Sequence, residues 1–166
     1  MTTSDARVDP PRVADERPML ESWLDYWRAS LLHKCAGLSG EQLVQRSCPP
    51  SPMSLIGLVR HMTEMERGYA HRLAVRETPL LYCTDDSPEG DFEDVSPGGV
   101  ADDLATFRAH CDRSREILSG LSLDDQFGRD ERYSVRWVHH YLIKEYARHL
   151  GHADLLRERV DGATGE

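Results

Sequence analysis

The sequence predicts an all-α protein, a four-helix bundle with short extra helices in its connections. Three observations predict it. Apolar residues recur at steps of three and four along four long stretches of the chain, the period of a buried helix face. Capping residues precede these stretches, and glycines or prolines follow them. No segment shows the alternation of a half-buried strand.

Residues 1–14, with Asp9-Pro10-Pro11, read as an extended arm. The bundle domain spans 15–162, and 163–166 form a tail. The first helix begins near Asp15, where Asp15, Glu16 and Pro18 suit a first turn. Its apolar face is Leu20, Trp23, Leu24, Trp27 and Leu31, and Gly37 stops it. Ser39-Gly40-Glu41-Gln42 is a capping-box pattern that opens a short helix to about Arg46. The second long helix starts between Ser51 and Ser54 and runs to about Val75. Leu55, Leu58, Met62, Met65 and Tyr69 mark its buried side, and Thr78-Pro79 lies beyond its end. Residues 79–99 read as a long acidic loop. The third long helix covers Gly99 to Ser119 on the stripe Val100, Leu104, Phe107, Cys111 and Leu118. Ser122 to Asp125 suggests a second short capped helix. The fourth long helix runs from Ser134 to about Val160, with Gly162 beyond its end.

Composition excludes several functions. The net charge of −9 is wrong for a nucleic-acid partner or an anionic membrane surface, both of which call for a basic face. No apolar run reaches the roughly 18 residues of a membrane span. The N-terminus lacks the basic start and apolar stretch of a secretory signal, so a cytoplasmic location is expected. Cys35, Cys48, Cys83 and Cys111 are widely spaced without a C-x-x-C pair. They are expected to be reduced and mainly structural, with Cys83 a candidate exposed thiol.

The chemistry concentrates on the fourth long helix. Val138, Tyr141, Glu145, His149, His152 and Leu156 follow steps of 3, 4, 4, 3 and 4, one side of a helix. The ends of this stripe are apolar, and its middle carries donors. Glu145 and His149, at i and i+4, stand about 5–6 Å apart at Cβ, which suits two ligands of one metal ion. A carboxylate with imidazoles fits Zn²⁺ first, with Ni²⁺, Fe²⁺ or Mn²⁺ open. His61, at the edge of the second helix's apolar stripe, is the candidate third ligand. A fourth position would stay free for water or a thiolate. Ordinary alternatives stand beside each residue. A lone histidine on an apolar face is commonly a hydrogen-bonded core residue, and an E-x-x-x-H pair is common on helix surfaces. His152 is a candidate outer partner of the cluster. His139 and His140 adjoin Trp137 and suit packing, while His33, His71 and His110 fit solvated or boundary positions. Asp85, Ser87, Glu89 and Gly90 match the start of a calcium loop, but Ser96 stands where the bidentate glutamate belongs.

The segment Glu145-Tyr146-Ala147-Arg148-His149-Leu150-Gly151-His152-Ala153-Asp154-Leu155-Leu156-Arg157-Glu158, with Gly57-Leu58-Val59-Arg60-His61-Met62 and Glu66, resembles the DinB-like superfamily. More narrowly it is similar to the actinobacterial branch that includes mycothiol S-transferase-like proteins, from about Leu20 to Gly162. The resemblance implies a four-helix bundle of the DinB type, usually a homodimer, with a divalent metal at one end. Much of the superfamily uses three histidines. Here His61 and His149 match, and Glu145 departs from that form, as in mycothiol-dependent members. The implied activity is metal-dependent transfer of a low-molecular-weight, mycothiol-like thiol to an electrophilic small molecule. Tyr141, Arg148 and His152 are candidates for contacts to that co-substrate. Two other functions stay open: a metal-dependent hydrolase or thiol-dependent isomerase, and a non-catalytic metal- or small-molecule-binding stress protein.

Overall fold

The computed structural model describes residues 7–74, 79–128 and 132–165, and within them the chain is all-α apart from one small hairpin. Helix α1 (Glu16–Cys35) starts after Asp15, and Gly37 turns the chain away at φ +77°. Its buried face is not the one expected. Leu20, Leu24 and Leu31 are buried, but Trp23 stands outside, stacked on Trp27 at 5.4 Å. Arg28 and Lys34 go inward instead. Helix α2 (Gly40–Leu43) carries the complete Ser39–Gln42 capping box but ends sooner than predicted.

Helix α3 (Leu55–Met65) is capped by Ser54, whose hydroxyl accepts from the Gly57 N–H at 3.1 Å. The rod then changes character. Glu66–Ala70 is a π-helical turn and His71–Leu73 a 3₁₀ turn. The predicted end near Val75 lies outside the described residues. Leu55, Leu58 and Met62 are fully buried, while Met65 and Tyr69, flanking the change of pitch, are half-buried.

The segment after Pro79 is not a plain loop. It forms helix α4 (Gly90–Glu93) and a 3₁₀ turn at Pro97–Gly99, and it lies against α3. Helix α5 (Val100–Ser119) follows the predicted stripe, with Leu104 only half-buried. The predicted short helix at Ser122–Asp125 is a turn, closed by the Ser122 N–H on Asp125 Oδ2 at 2.8 Å. It leads into β1 (Gln126–Phe127), which pairs antiparallel with β2 (Tyr133–Ser134) in the register Gln126 to Ser134. Helix α6 (Val135–Asp161) begins at the Ser134 cap and ends at Gly162, φ +80°.

The long rods enclose one core. α1 packs on α6 and α3, and α3 also packs on α5 and α6. Leu24, Leu31, Leu58, Met62, Phe107 and Leu142 form its apolar body. Inside it lies an ion pair: Arg28 donates through Nε and Nη2 to both oxygens of Glu66, each at 2.8 Å. Such a fork satisfies a carboxylate that burial would otherwise penalise heavily. The arginine and hydrogen bonds outweigh burial and hold Glu66 below the usual carboxylate range. Cys111 lies 3.9 Å from Glu66, and burial beside that carboxylate pushes its thiol well up. All four cysteines are free.

His71, expected at a solvated or boundary position, is buried, and of the two histidines expected to pack beside Trp137 only His139 does so. His71 follows the π turn onto α5, with Nε2 3.2 Å from the His110 carbonyl. His139 is fully buried, its Nδ1 3.0 Å from the Val135 carbonyl, whereas its neighbour His140 is exposed. No helix among the described residues is long and apolar enough to cross a membrane.

Candidate metal centre

Helix α6 keeps the predicted phase. Val138, Glu145, His149 and Leu156 are buried along one side, with Tyr141 and His152 half-buried beside them. Helix α3 brings His61 against this row. One donor atom from each of His61, Glu145 and His149 lies within 4.8 Å of the others. The His61 and His149 rings are 4.6 Å apart between centroids, and His149 Nε2 is 3.5 Å from Glu145 Oε2. Among the described residues this is the one group of three or more such donors; Asp85 to Asp91 form no comparable cluster.

A divalent ion takes imidazole as neutral base and carboxylate as anion, and the surroundings favour those forms of His149 and Glu145. His149 is held down to about 4, chiefly by burial, then by His61 and His152, with Glu145 opposing. Burial raises Glu145, but the bond and charge of Lys144 outweigh it, with help from His149 and Tyr141, so it stays below the usual range. Lys144 Nζ is 2.6 Å from Glu145 Oε1, leaving Oε2 on the side of His149.

Further contacts fix the rings. His61 Nδ1 is 2.9 Å from Asp91 Oδ2, and Phe92 stacks on the His61 ring at 5.3 Å and 25°. His149 Nδ1 is 3.3 Å from His152 Nδ1. A cavity of about 600 Å³ opens over the cluster, and Met53, Met65, Phe92, Tyr141 and Arg148 help line it. Tyr141 belongs to an aromatic row. It lies 4.7 Å from Trp137, nearly parallel, and 4.1 Å from Tyr69. Lys144 Nζ is 3.9 Å over its ring. Hydrogen bonding with Tyr69, burial and the Glu145 charge keep its hydroxyl protonated to high pH.

The structure thus gathers all three predicted ligands, and it places Tyr141, Arg148 and His152 on the wall of the same cavity. Sequence reasoning missed Asp91, Phe92 and Lys144. Asp91 stands in an acidic stretch that reads as a solvated loop at the rim of the site or at a subunit contact, with a calcium loop as the alternative, and no helical spacing links it to His61. Lys144 immediately precedes a candidate ligand, a position normally turned away from it.

A family model described as Mycothiol-S-transferase matches residues 19–162. No curated protein and no solved structure gives a match. That family match covers nearly the whole chain, the long helices except the first three residues of α1, and every residue of the donor cluster, and the chain belongs to the mycothiol-S-transferase family.

Proposed function

We propose that the protein is a cytoplasmic, homodimeric enzyme that joins a low-molecular-weight, mycothiol-like thiol to an electrophilic small molecule. In this reading His61, Glu145 and His149 hold one divalent ion, zinc in the first place. The observation that carries it is the placement of two imidazoles and a carboxylate within 4.8 Å of one another beside an open cavity. Three protein ligands and a free position are the arrangement of reactive rather than structural zinc. When bound, such an ion supplies Lewis acidity that lowers the pKa of a thiol and makes the thiolate available at neutral pH.

The chain's own residues supply the rest. Glu145 contributes the anion, which offsets part of the metal's charge and tempers its acidity relative to three imidazoles. Tyr141, kept protonated, is a hydroxyl donor on the wall. Arg148 offers a cation to polar groups of the co-substrate, and His152 braces His149. Met65, Phe92 and Tyr141 line the cavity with surface suited to an apolar electrophile. No nucleophilic side chain is needed, because the co-substrate brings the sulfur.

Elemental mass spectrometry of purified protein, beside a His61→Ala/His149→Ala double variant, tests the site. About one equivalent of metal in the wild type and none in a folded double variant is expected. A thiol–electrophile conjugation assay then tests the activity, which Glu145→Gln should abolish. No metal in the wild type, even after incubation with zinc, would sink the catalytic reading. Turnover that consumes no thiol would turn it toward a hydrolase or isomerase.

A further inference from the structure

Gly57, Arg60, His61 and Glu64 follow steps of 3, 1 and 3, and therefore share one stripe of α3. The other stripes of α3 pack on helices. This one holds the segment that follows Pro79. Glu64 Oε1 accepts the backbone N–H groups of Leu81 at 2.6 Å and Tyr82 at 2.7 Å. Arg60 donates to the Asp94 carbonyl at 2.8 Å and to Asp103 Oδ2 at 2.8 Å, and it lies over the Tyr82 ring at 4.7 Å. Two glycines make the fit possible. A Cβ at Gly90 would lie 2.2 Å from the Tyr82 carbonyl oxygen, and one at Gly57 would lie 3.0 Å from Phe92 Cδ1.

What this strap delivers to the stripe is Asp91. The residue is 4% exposed, and its Oδ2 faces His61 Nδ1 at 2.9 Å. Its Oδ1 is buried without a hydrogen-bond partner. A buried carboxylate with only one oxygen engaged is costly and calls for a reason. A free imidazole offers either nitrogen to a metal and rotates about its χ2. A carboxylate that accepts from Nδ1–H removes both freedoms and makes the ring a stronger donor. Phe92, the next residue, covers one ring face. The contact to Asp91 and the stacking of Phe92 together restrain the plane of a ring that its own helix leaves free to turn.

We propose that Asp91 is the positioning residue of the metal centre, locking His61 with Nδ1–H toward its carboxylate and Nε2 toward Glu145 and His149. This deepens the reading above, on which its relevance to metal binding rests. Asp91 touches neither the ion nor the substrate in this role.

The test begins with metal-free wild-type protein. Ring ¹H–¹⁵N correlation spectra at pH 8 should show His61 as the Nδ1–H tautomer. An Nε2–H ring there overturns the proposal, and this measurement needs no variant to fold. In folded Asp91→Ala the ring should revert toward the Nε2–H form. Zinc affinity, measured by competition with a chromophoric chelator, should fall about 10- to 100-fold in Asp91→Ala. Asp91→Asn, whose amide oxygen also accepts, should restore part of both signals. An Asp91→Ala protein with unchanged tautomer and unchanged zinc affinity overturns the proposal. Failure of the metal reading looks different: the wild type then binds no zinc, while the Asp91-dependent tautomer still reports the lock.

Discussion

The Tyr146 hydroxyl donates to Glu66 Oε1 at 2.8 Å, from the position on α6 directly after Glu145. Consecutive residues of one helix thus face two polar sites. Glu145 turns toward His61 and His149, and Tyr146 anchors the same turn to the buried Arg28–Glu66 pair. The ion pair therefore helps fix the height of Glu145 along the bundle.

Removing one member of that pair strands the other. Arg28→Met should destabilise the fold by about 3–5 kcal/mol, because Glu66 would remain buried without its cation. The double variant Arg28→Met/Glu66→Met should recover most of the loss. Urea unfolding of both variants checks this; a double variant as unstable as the single one would contradict it.

Bound metal should stabilise the native state by mass action. At a free zinc concentration about 100 times its Kd the gain is about 2.7 kcal/mol. For a chain of this size that corresponds to a rise of roughly 5–10 °C in Tm. Chelation should reverse the rise, and His149→Ala should show none. Differential scanning calorimetry with and without zinc measures it.

Burial holds His110 and His149 near 4, and it lowers His71 and His139 as well. Their folded values thus lie below the unfolded value of about 6.5. The unfolded chain takes up these protons first, so stability is complete above about pH 6.5 and declines as pH falls toward 4. Carboxylates held low, such as Glu66, lose their contribution only further down, as they protonate. Urea unfolding of metal-free protein at pH 7.5, 6.5 and 5.5 should show the decline already between the last two. A flat profile over that interval would refute it.

Gly90→Ala and Gly151→Ala should move in opposite directions. An alanine at 90 meets the Tyr82 carbonyl, so the strap must shift, at a cost of about 1–3 kcal/mol and with weaker zinc binding. At exposed, helical Gly151 a Cβ meets nothing within 4 Å, and alanine should stabilise by about 0.5–1 kcal/mol. Thermal unfolding and chelator competition on the pair compare the two.

Some of this was legible in residue order. Ser54 and Ser134 announce their helices, and the Glu145–His149 step puts two donors on one face, because helical period is a local property. The pairing of Asp91 with His61 depends on how a non-repeating segment folds over α3, which no spacing encodes. Arg28 and Glu66 look like surface charges until both are seen to be buried together. A two-residue strand such as Gln126–Phe127 is too short to alternate. The exchange of Trp23 for Arg28 on the inner side of α1 has the same origin: the partner that makes an arginine welcome inside lies 38 residues away.

The π turn at Glu66–Ala70 carries a last consequence. A π turn has the form of a single inserted residue absorbed within a helix. It breaks one rod into two angular frames. The frame before it aims His61 at α6, and the frame after it aims His71 at α5. Deleting one residue from the turn would merge the frames and rotate the later one by about 100°. Chain length within these five positions therefore sets the angle between the two frames.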